Sequence, residues 1–281
     1  MYDFKQVKID SKSIAEVASL LSQVFTTTDK FTNEFIEWQY AKNPSGPIVG
    51  FNAYAGEELA GHYVTQPIQA QVKGETVKGL LSLNTATHPD HRGKKLFTEL
   101  AKLTYEYAKD NGYKFVYGVA NDNSTHGFIK KLGFQLVSPL ITKIGFGKIK
   151  YKPTTIDYDF KRVWTREDLK WRLSNPSLKY YTNKNQIIVP TGKPGLNATI
   201  YNLEDHQRDL NTTTEKFKGL NILKLNVGLD DAIDWEKSVY FDVPKRFKSS
   251  PLNLIFRDLS NGETTIDPKK VKFEVIDFDG Y

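Results

Sequence analysis

The stretch His88-Pro89-Asp90-His91-Arg92-Gly93-Lys94-Lys95-Leu96-Phe97-Thr98-Glu99-Leu100 joins a strand, a basic turn and the start of a helix. The residues before it, Leu80 to Thr87, are apolar and β-branched enough to form a strand, and Pro89 ends that ladder by removing a backbone donor. After the turn, Leu96, Leu100, Leu103 and Tyr107 recur at helical spacing, which predicts a helix opening near Lys95. A helix start leaves backbone N–H groups unpartnered and carries partial positive charge, and a phosphate satisfies both. Gly93 allows positive φ or a close ligand approach, while Arg92, Lys94 and Lys95 gather mobile charge at the same point. Taken alone, the stretch equally fits an ordinary strand-to-helix turn with solvated lysines.

A second segment alters that balance. After the helix and the Asn111-Gly112 stop comes a short apolar strand, Phe115 to Ala120, followed by Asn121-Asp122-Asn123-Ser124-Thr125-His126-Gly127-Phe128-Ile129-Lys130-Lys131-Leu132-Gly133-Phe134. Together the two segments resemble the GNAT (Gcn5-related N-acetyltransferase) superfamily. There, Arg/Gln-x-x-Gly-x-Gly/Ala opens the helix that holds the coenzyme A pyrophosphate, and a later Asn-containing turn and short helix end in Lys-x-Gly-Phe. Here the first pattern reads Arg92-Gly93-Lys94-Lys95-Leu96-Phe97, with Lys95 and Phe97 replacing both family glycines, and the second ends in Lys131-Leu132-Gly133-Phe134. The resemblance covers residues 1–148 as an order of elements.

Composition is that of an ordinary globular chain: 281 residues, 39% hydrophobic and 26% charged. No apolar run approaches the length of a membrane span, and the start lacks a basic and apolar signal pattern, so a cytoplasmic protein is expected. With no cysteine, disulfides, zinc-thiolate sites and cysteine acyl-enzymes are excluded, and any acyl transfer is expected to be direct. The net charge of +6 comes from scattered lysines without a basic arm, which favours anionic small ligands over nucleic acid. No tight ligand cluster is visible, so no metal is expected.

The remaining first-half elements fit the same order. A strand from Phe4 to Ile9 precedes a helix capped by Ser11 or Ser13, with Ile14, Val17, Leu20, Leu21 and Val24 on one face. A second helix runs from about Thr32 to Lys42 and ends before Asn43-Pro44-Ser45-Gly46. Strands at Ile48–Ala55, Leu59–Gln71 and Val77–Thr87 form a meander that feeds the basic turn.

Lys148 to Thr155 reads as a linker or surface tether, and a partial repeat follows it. Phe31-Thr32-Asn33-Glu34-Phe35-Ile36-Glu37-Trp38-Gln39-Tyr40-Ala41-Lys42-Asn43-Pro44-Ser45 matches Trp164-Thr165-Arg166-Glu167-Asp168-Leu169-Lys170-Trp171-Arg172-Leu173-Ser174-Asn175-Pro176-Ser177 with one residue deleted. The match suggests duplication, against the plainer alternative of two unrelated helices that end alike. Further strands are predicted at Gln186–Pro190, Asn197–Leu203, Leu220–Val227, Ser238–Val243, Leu252–Arg257 and Val271–Phe278, with no second Arg-x-x-Gly turn. The expected fold class is therefore α+β: a GNAT fold, its mixed and mostly antiparallel sheet flanked by helices, then a degenerate GNAT-like half. The expected domains are 1–148, binding coenzyme A, and 149–281, a scaffold or a wall of the acceptor site.

The resemblance implies that acetyl-CoA is the donor. It implies that backbone groups of Leu83, Asn84, Thr85, Ala86 and Thr87 meet the pantetheine arm, with a bulge near Asn84. It also implies coenzyme contacts from Arg92, Gly93, Lys94, Lys95, Leu96, Phe97, Asn121 and Ser124. The tyrosine many relatives use to protonate the thiolate is replaced by Phe128 and Ile129. A thiol of pKa near ~8.5 leaves fairly well unaided, and Ser124, or water held by Asn121, is the substitute candidate. Asn84 stands where some relatives place a base, although an amide takes no proton. Glu34 is the candidate base, weighed against first-turn helix stabilisation because Glu167 occupies the matching place in the repeat. His62, His88 and His126 divide between ligand contact and packing or turn roles, and the repeated Trp38 and Trp171 read as core anchors.

The expected acceptor is a primary amine of a small molecule. An amino sugar or nucleotide-linked amino sugar is favoured because it loses its proton more easily than lysine, whose pKa is about 10.4. The arrangement resembles acyltransferases of bacterial surface-polysaccharide synthesis, an analogy at the level of the fold. A non-catalytic coenzyme-binding protein and a tRNA-dependent aminoacyl ligase-like tandem chain remain open, as does a homodimer; no membrane partner is expected.

Overall fold

Each helix of the first half starts and stops where local chemistry dictates, with one shift from the sequence expectation. Asp10, rather than Ser11 or Ser13, caps α1 (Ser11–Val24): its carboxylate accepts the Ser13 N–H at 3.0 Å, because Ser11 is already the first helical residue. Thr32 caps α2 (Asn33–Ala41) through the Phe35 N–H at 3.1 Å. The computed structural model describes residues 1–26, 29–204, 207, 214–244, 250–261 and 263–278. The end of the expected second domain, residue 281, lies outside them.

The first half begins with β1 (Asp3–Gln6), continues through α1 and α2, and builds a meander of β2 (Val49–Ala55), β3 (Glu58–Val72) and β4 (Glu75–Thr87). It proceeds through α3 (Leu96–Asp110), β5 (Phe115–Ala120), α4 (Asp122–Leu132), β6 (Gln135–Pro139) and β7 (Ile141–Gly145). The second half contains β8 (Phe160–Val163), α5 (Arg166–Leu173), β9 (Tyr181–Asn183), β10 (Gln186–Pro190), β11 (Leu196–Asn202), β12 (Glu215–Lys216), β13 (Leu223–Asp230), β14 (Tyr240–Asp242), β15 (Asn253–Asp258) and β16 (Val271–Glu274). The sheet is mixed and mostly antiparallel, its parallel pairs being β4–β5, β8–β16, β9–β12 and β11–β13. The last predicted strand stops at Glu274, where Val275–Asp277 turns into a short 3-10 helix.

The α3 helix buries Leu96, Leu100, Ala101, Thr104, Tyr105 and Ala108, while the expected Leu103 and Tyr107 are only half-buried at the edge of that face. Ala101 and Ala108 let the helix lie close to the sheet, and the stripe falls on the smaller residues.

Strands from residues 1–148 and from 149–281 share one continuous sheet. Strand β15, from the second half, lies between β5 and β6, hydrogen-bonding antiparallel to both. Reciprocally β7, from the first half, lies between β13 and β14. The two halves show the same order around the exchange, β4–β5–β15–β6 in one and β11–β13–β7–β14 in the other. Each half completes the other's hydrogen-bond ladder, so neither has a finished sheet alone. The β8 strand adds a second seam by pairing with β3 over Gln69 to Val72.

The repeated helices meet at that junction. Trp38 of α2 and Trp171 of α5 stack at 4.7 Å between centroids and 16° between planes. Each indole N–H donates to the other residue's carbonyl, both at 3.1 Å. The caps repeat as well: Thr165 accepts the Asp168 N–H at 3.1 Å, as Thr32 does for Phe35. Asn175 Oδ1 likewise accepts the Ser177 N–H, the counterpart of Asn43 and Ser45.

Candidate active site

Strands β4 and β5 are in register at only two pairs, Leu80 with Val116 and Leu81 with Tyr117, and beyond these they diverge. The cause lies in the helices that leave their ends: α3 follows β4, α4 follows β5, and the ends must separate to seat both. A cavity of about 710 Å³ opens in the gap, within the range of small-molecule sites. Leu81 to Thr85 form one wall and Gly118, Val119 and the start of α4 the other; Phe25 and Phe31 flank it, and Ile255 and Phe278 come from the second half. From Ser82 onward one edge of β4 carries no neighbouring strand, so its cleft-facing backbone groups are open to a ligand.

The β4 wall is irregular where the family resemblance implies a bulge. His62 pairs with Ala86 and Val64 with Leu83, leaving Tyr63 opposite both Asn84 and Thr85. Asn84 takes φ +46°, a conformation asparagine tolerates better than most residues.

The helix starts differ in a way that bears on anions. Side chains of Asp10, Thr32, Asn121 and Thr165 cap α1, α2, α4 and α5, whereas Lys95 at the start of α3 makes no side-chain cap bond. The first N–H groups of α3 are therefore left to solvent or to a ligand. Arg92, Gly93, Lys94 and Lys95 are all exposed around this point. Lys95 has φ +61° and Gly93 φ +76°, so the lysine occupies left-handed backbone where the family pattern has glycine. Lys95→Gly is expected to stabilise the protein by about 1 kcal/mol, the steric cost of that conformation, measured by chemical denaturation. Loss of stability on this change would show that the lysine side chain contributes more than the strain costs.

The other expected site residues fall into four groups. Asn84, Thr85, Phe97, Asn121 and Ser124 line the cleft. Ala86 and Leu96 are buried in the core, at 3% exposure each, and leave only their backbone for a ligand. Thr87 is half-buried at the end of β4, before the turn. Asn121 and Ser124 are occupied with each other as a capping box on α4, Asn121 Oδ1 accepting the Ser124 N–H at 3.1 Å. Phe97, in place of the second family glycine, packs edge-on against Phe128 at 5.2 Å, the residue standing near the family tyrosine. Glu34 is exposed in the first turn of α2 and does not line the cleft, and Glu167 holds the same place on α5. First-turn stabilisation accounts for both.

Among the described residues lining the cleft, the titratable side chains are Lys30, Lys131 and His126, with no carboxylate. That lining suits an anionic ligand.

Two polar clusters were hidden in the sequence because their members lie on different elements. One joins Glu58, His88 and His91, whose potential ligand atoms lie within 4.8 Å of one another. His91 Nε2 meets Glu58 at 2.9 Å, its Nδ1 meets the Tyr2 hydroxyl at 2.8 Å, and His88 Nδ1 accepts the Asp90 N–H. These contacts tie the β2–β3 turn to the basic turn. The other is centred on His62, fully buried, with Nε2 at 2.8 Å from Tyr40 Oη and Nδ1 at 2.6 Å from Asn52 Oδ1.

Burial drives the His62 pKa down to about 3, so the ring is neutral in the folded protein. The unfolded chain, with its histidine near 6.5, binds the extra proton first. This histidine therefore favours folding above pH 6.5, and the benefit drains away as pH falls toward 3, by up to about 1.4 kcal/mol per unit. Glu274, pushed up to about 8 by burial, has the opposite slope between pH 4.5 and 8. The expected result is thus comparative: His62→Gln flattens the acid side of the stability profile relative to wild type. Parallel profiles would mean that His62 is protonated in the fold.

Residues 7–137 match the family model for the acetyltransferase (GNAT) domain. Over these residues, a little under half of the chain, the sequence is similar to GNAT acetyltransferase domains. The GNAT fold also accounts for solved structures similar across 92% of the chain. One is a probable N-acyltransferase from Enterococcus faecalis, with TM-score 0.60, 10% identity and 73% of that chain covered. Another is a GCN5-related N-acetyltransferase from Kribbella flavida, with TM-score 0.59, 13% identity and 72% covered. A third, from Anabaena variabilis, has TM-score 0.53, 12% identity and 73% covered. At these identities the likeness concerns the fold. No curated protein matches the chain in sequence.

Proposed function

We propose that the protein moves an acetyl group from acetyl-CoA directly to a primary amine of a small molecule, with an amino sugar or nucleotide-linked amino sugar as the favoured acceptor. The observation that carries this reading is the open β4–β5 cleft, with the uncapped start of α3 beyond the β4 end that forms its wall. The residues fit the donor: the α3 start with Arg92, Lys94 and Lys95 would hold the pyrophosphate, and the free edge of β4 would hold the pantetheine arm. Bound acetyl-CoA supplies an activated thioester. The chain contributes backbone N–H groups from the β4 bulge toward developing negative charge on the carbonyl oxygen. It has no cysteine to carry the acyl group, which agrees with direct transfer.

The acceptor preference rests on what the lining lacks. With no carboxylate among the described lining residues, the cleft favours an amine that sheds its own proton near neutral pH. The expected kcat/KM for the acceptor rises about tenfold per pH unit below the amine's own pKa, and its inflection moves with that pKa across a series of amines. An inflection fixed at one pH for every amine would place a general base in the enzyme.

We further propose that the second half descends from the same fold and no longer binds a donor. In support, residues 231–239, between β13 and β14, hold no helix, where α4 stands in the first half. Its cavity beside β13 measures about 40 Å³. The second half then serves as scaffold and, through Ile255 and Phe278, as part of the cleft.

The direct test mixes the protein with acetyl-CoA and a panel of amino sugars, nucleotide-linked amino sugars, polyamines and peptides, following thiol release and product mass. Acetylation of amino sugars above the other classes is expected. No thiol release with any amine would overturn the reading.

A further inference from the structure

We propose that Asn84 positions the acceptor amine through Oδ1, and that a buried hydrogen-bond chain running from Asn84 through Tyr40 and His62 to Asn52 fixes that atom in place. This inference rests on reading the cleft as an acyl-transfer site.

The backbone explains why an asparagine is tolerated at position 84, since φ is +46° at the bulge. It does not explain the side chain. A carboxamide has two N–H donors and one oxygen acceptor. Both donors of Asn84 are committed, one to Gln39 Oε1 at 2.6 Å and the other to Tyr40 Oη at 3.1 Å. Gln39 and Tyr40 are each 1% exposed, so the nitrogen faces the protein interior. Asn84 itself lines the cleft, and among the described residues its Oδ1 accepts no hydrogen bond. The side chain is thus held as a pure acceptor, suited to a ligand N–H and unsuited to a carbonyl or carboxylate.

The chain behind it has one direction. Asn52 Oδ1 can only accept, so His62 Nδ1 carries the proton, and Nε2 must then accept from the Tyr40 hydroxyl. Asn52 Nδ2 donates to Tyr54 Oη at 3.2 Å, and Tyr54 donates to Glu16 Oε2 at 3.3 Å. Every donor from the cleft to Glu16 therefore points away from Asn84. Hydrogen bonds aligned in this way polarise one another, and donation by both Nδ2 protons places more electron density on Oδ1. The nitrogen of an attacking amine gains positive charge as its bond to carbon forms. An N–H donated to Oδ1 strengthens at that moment, so the contact aids the transfer step as well as binding. Asn84 takes no proton, and the amine's proton leaves to solvent.

Asn84→Gly is the informative variant, because glycine keeps the left-handed backbone and removes only the amide. Its kcat/KM for the amine is expected to fall about 10- to 100-fold, with calorimetric affinity for acetyl-CoA nearly unchanged and the melting temperature lowered only by the loss of the two donors to Gln39 and Tyr40. Tyr40→Phe is expected to give a smaller loss, and no further loss when added to Asn84→Gly, since its effect passes through the amide. Wild-type kinetics in Asn84→Gly, or additive losses in the double variant, would overturn the proposal. If the wild type transfers acetyl to no amine, the acyl-transfer reading fails first, and glucosamine titrated into coenzyme A-saturated protein replaces the kinetic readout. Tenfold weaker glucosamine binding in Asn84→Gly would uphold the positioning role; equal binding, or none in the wild type, would overturn it.

Discussion

Trp38→Ala is expected to lower the unfolding free energy by about 3–5 kcal/mol, the usual range for emptying a large aromatic from a core. Trp38 and Trp171 are 4% and 7% exposed, and they share the stacked face and the reciprocal indole bonds that join α2 to α5. Removing one indole leaves a void against the other ring and takes one donor each from Trp171 O and Ser174 Oγ. Because β7 and β15 are exchanged between the halves, the loss is expected in a single unfolding transition seen alike by fluorescence and circular dichroism. A loss under about 1 kcal/mol would mean that the stack does not hold the junction. Two separate transitions would contradict the interlocked sheet.

Arg92→Glu combined with Lys94→Glu is expected to weaken acetyl-CoA binding by about 100-fold or more. Each reversal replaces attraction to the pyrophosphate with repulsion, and two such changes at about 1–2 kcal/mol each multiply to that factor. Both residues are exposed and lie outside the core, so the melting temperature without ligand is expected to stay near wild type. The wild-type affinity is also expected to fall with added salt more steeply than that of the variant. Calorimetric titration at two ionic strengths measures both effects. Unchanged affinity in the doubly reversed protein would move the pyrophosphate away from the start of α3.

The parts of the fold legible in the sequence were those set by local chemistry. The strand before Pro89 and the helix after Lys95 follow from residue types within a few positions of one another, whereas the bulge at Asn84 was implied by the family resemblance. The repeat around Trp38 and Trp171 was visible as text, and the structure gives it a physical meaning in paired caps and a shared stack. What alternation of apolar residues cannot specify is a strand's partner. Leu252–Arg257 was legible as a strand, yet nothing within it says that it enters between β5 and β6, more than a hundred residues earlier. The same limit concealed the site's polar chain. Asn52, His62 and Asn84 sit on three different strands, and a lone histidine in a strand looks like any packed ring until register brings its neighbours alongside. Glu34, attractive on the sequence as a base, stands exposed in the first turn of α2 outside the cleft lining, whereas Tyr40 on the same helix reaches the cleft wall through Asn84.

The second half makes sense in this light as structure that the first half cannot lack. It supplies the strand that completes the β5 edge and two of the side chains at the cleft, while the cavity described beside its own β13 measures about 40 Å³.

Hydrogen–deuterium exchange with and without acetyl-CoA tests the central claim, that the donor lies in the β4–β5 cleft with its pyrophosphate at the start of α3. The expected protection is concentrated in Leu83 to Thr87, Gly93 to Phe97 and the segment from Gly118 into the first turn of α4. Unchanged exchange in those three segments at saturating acetyl-CoA, or protection centred on β13 and β16 instead, would contradict it.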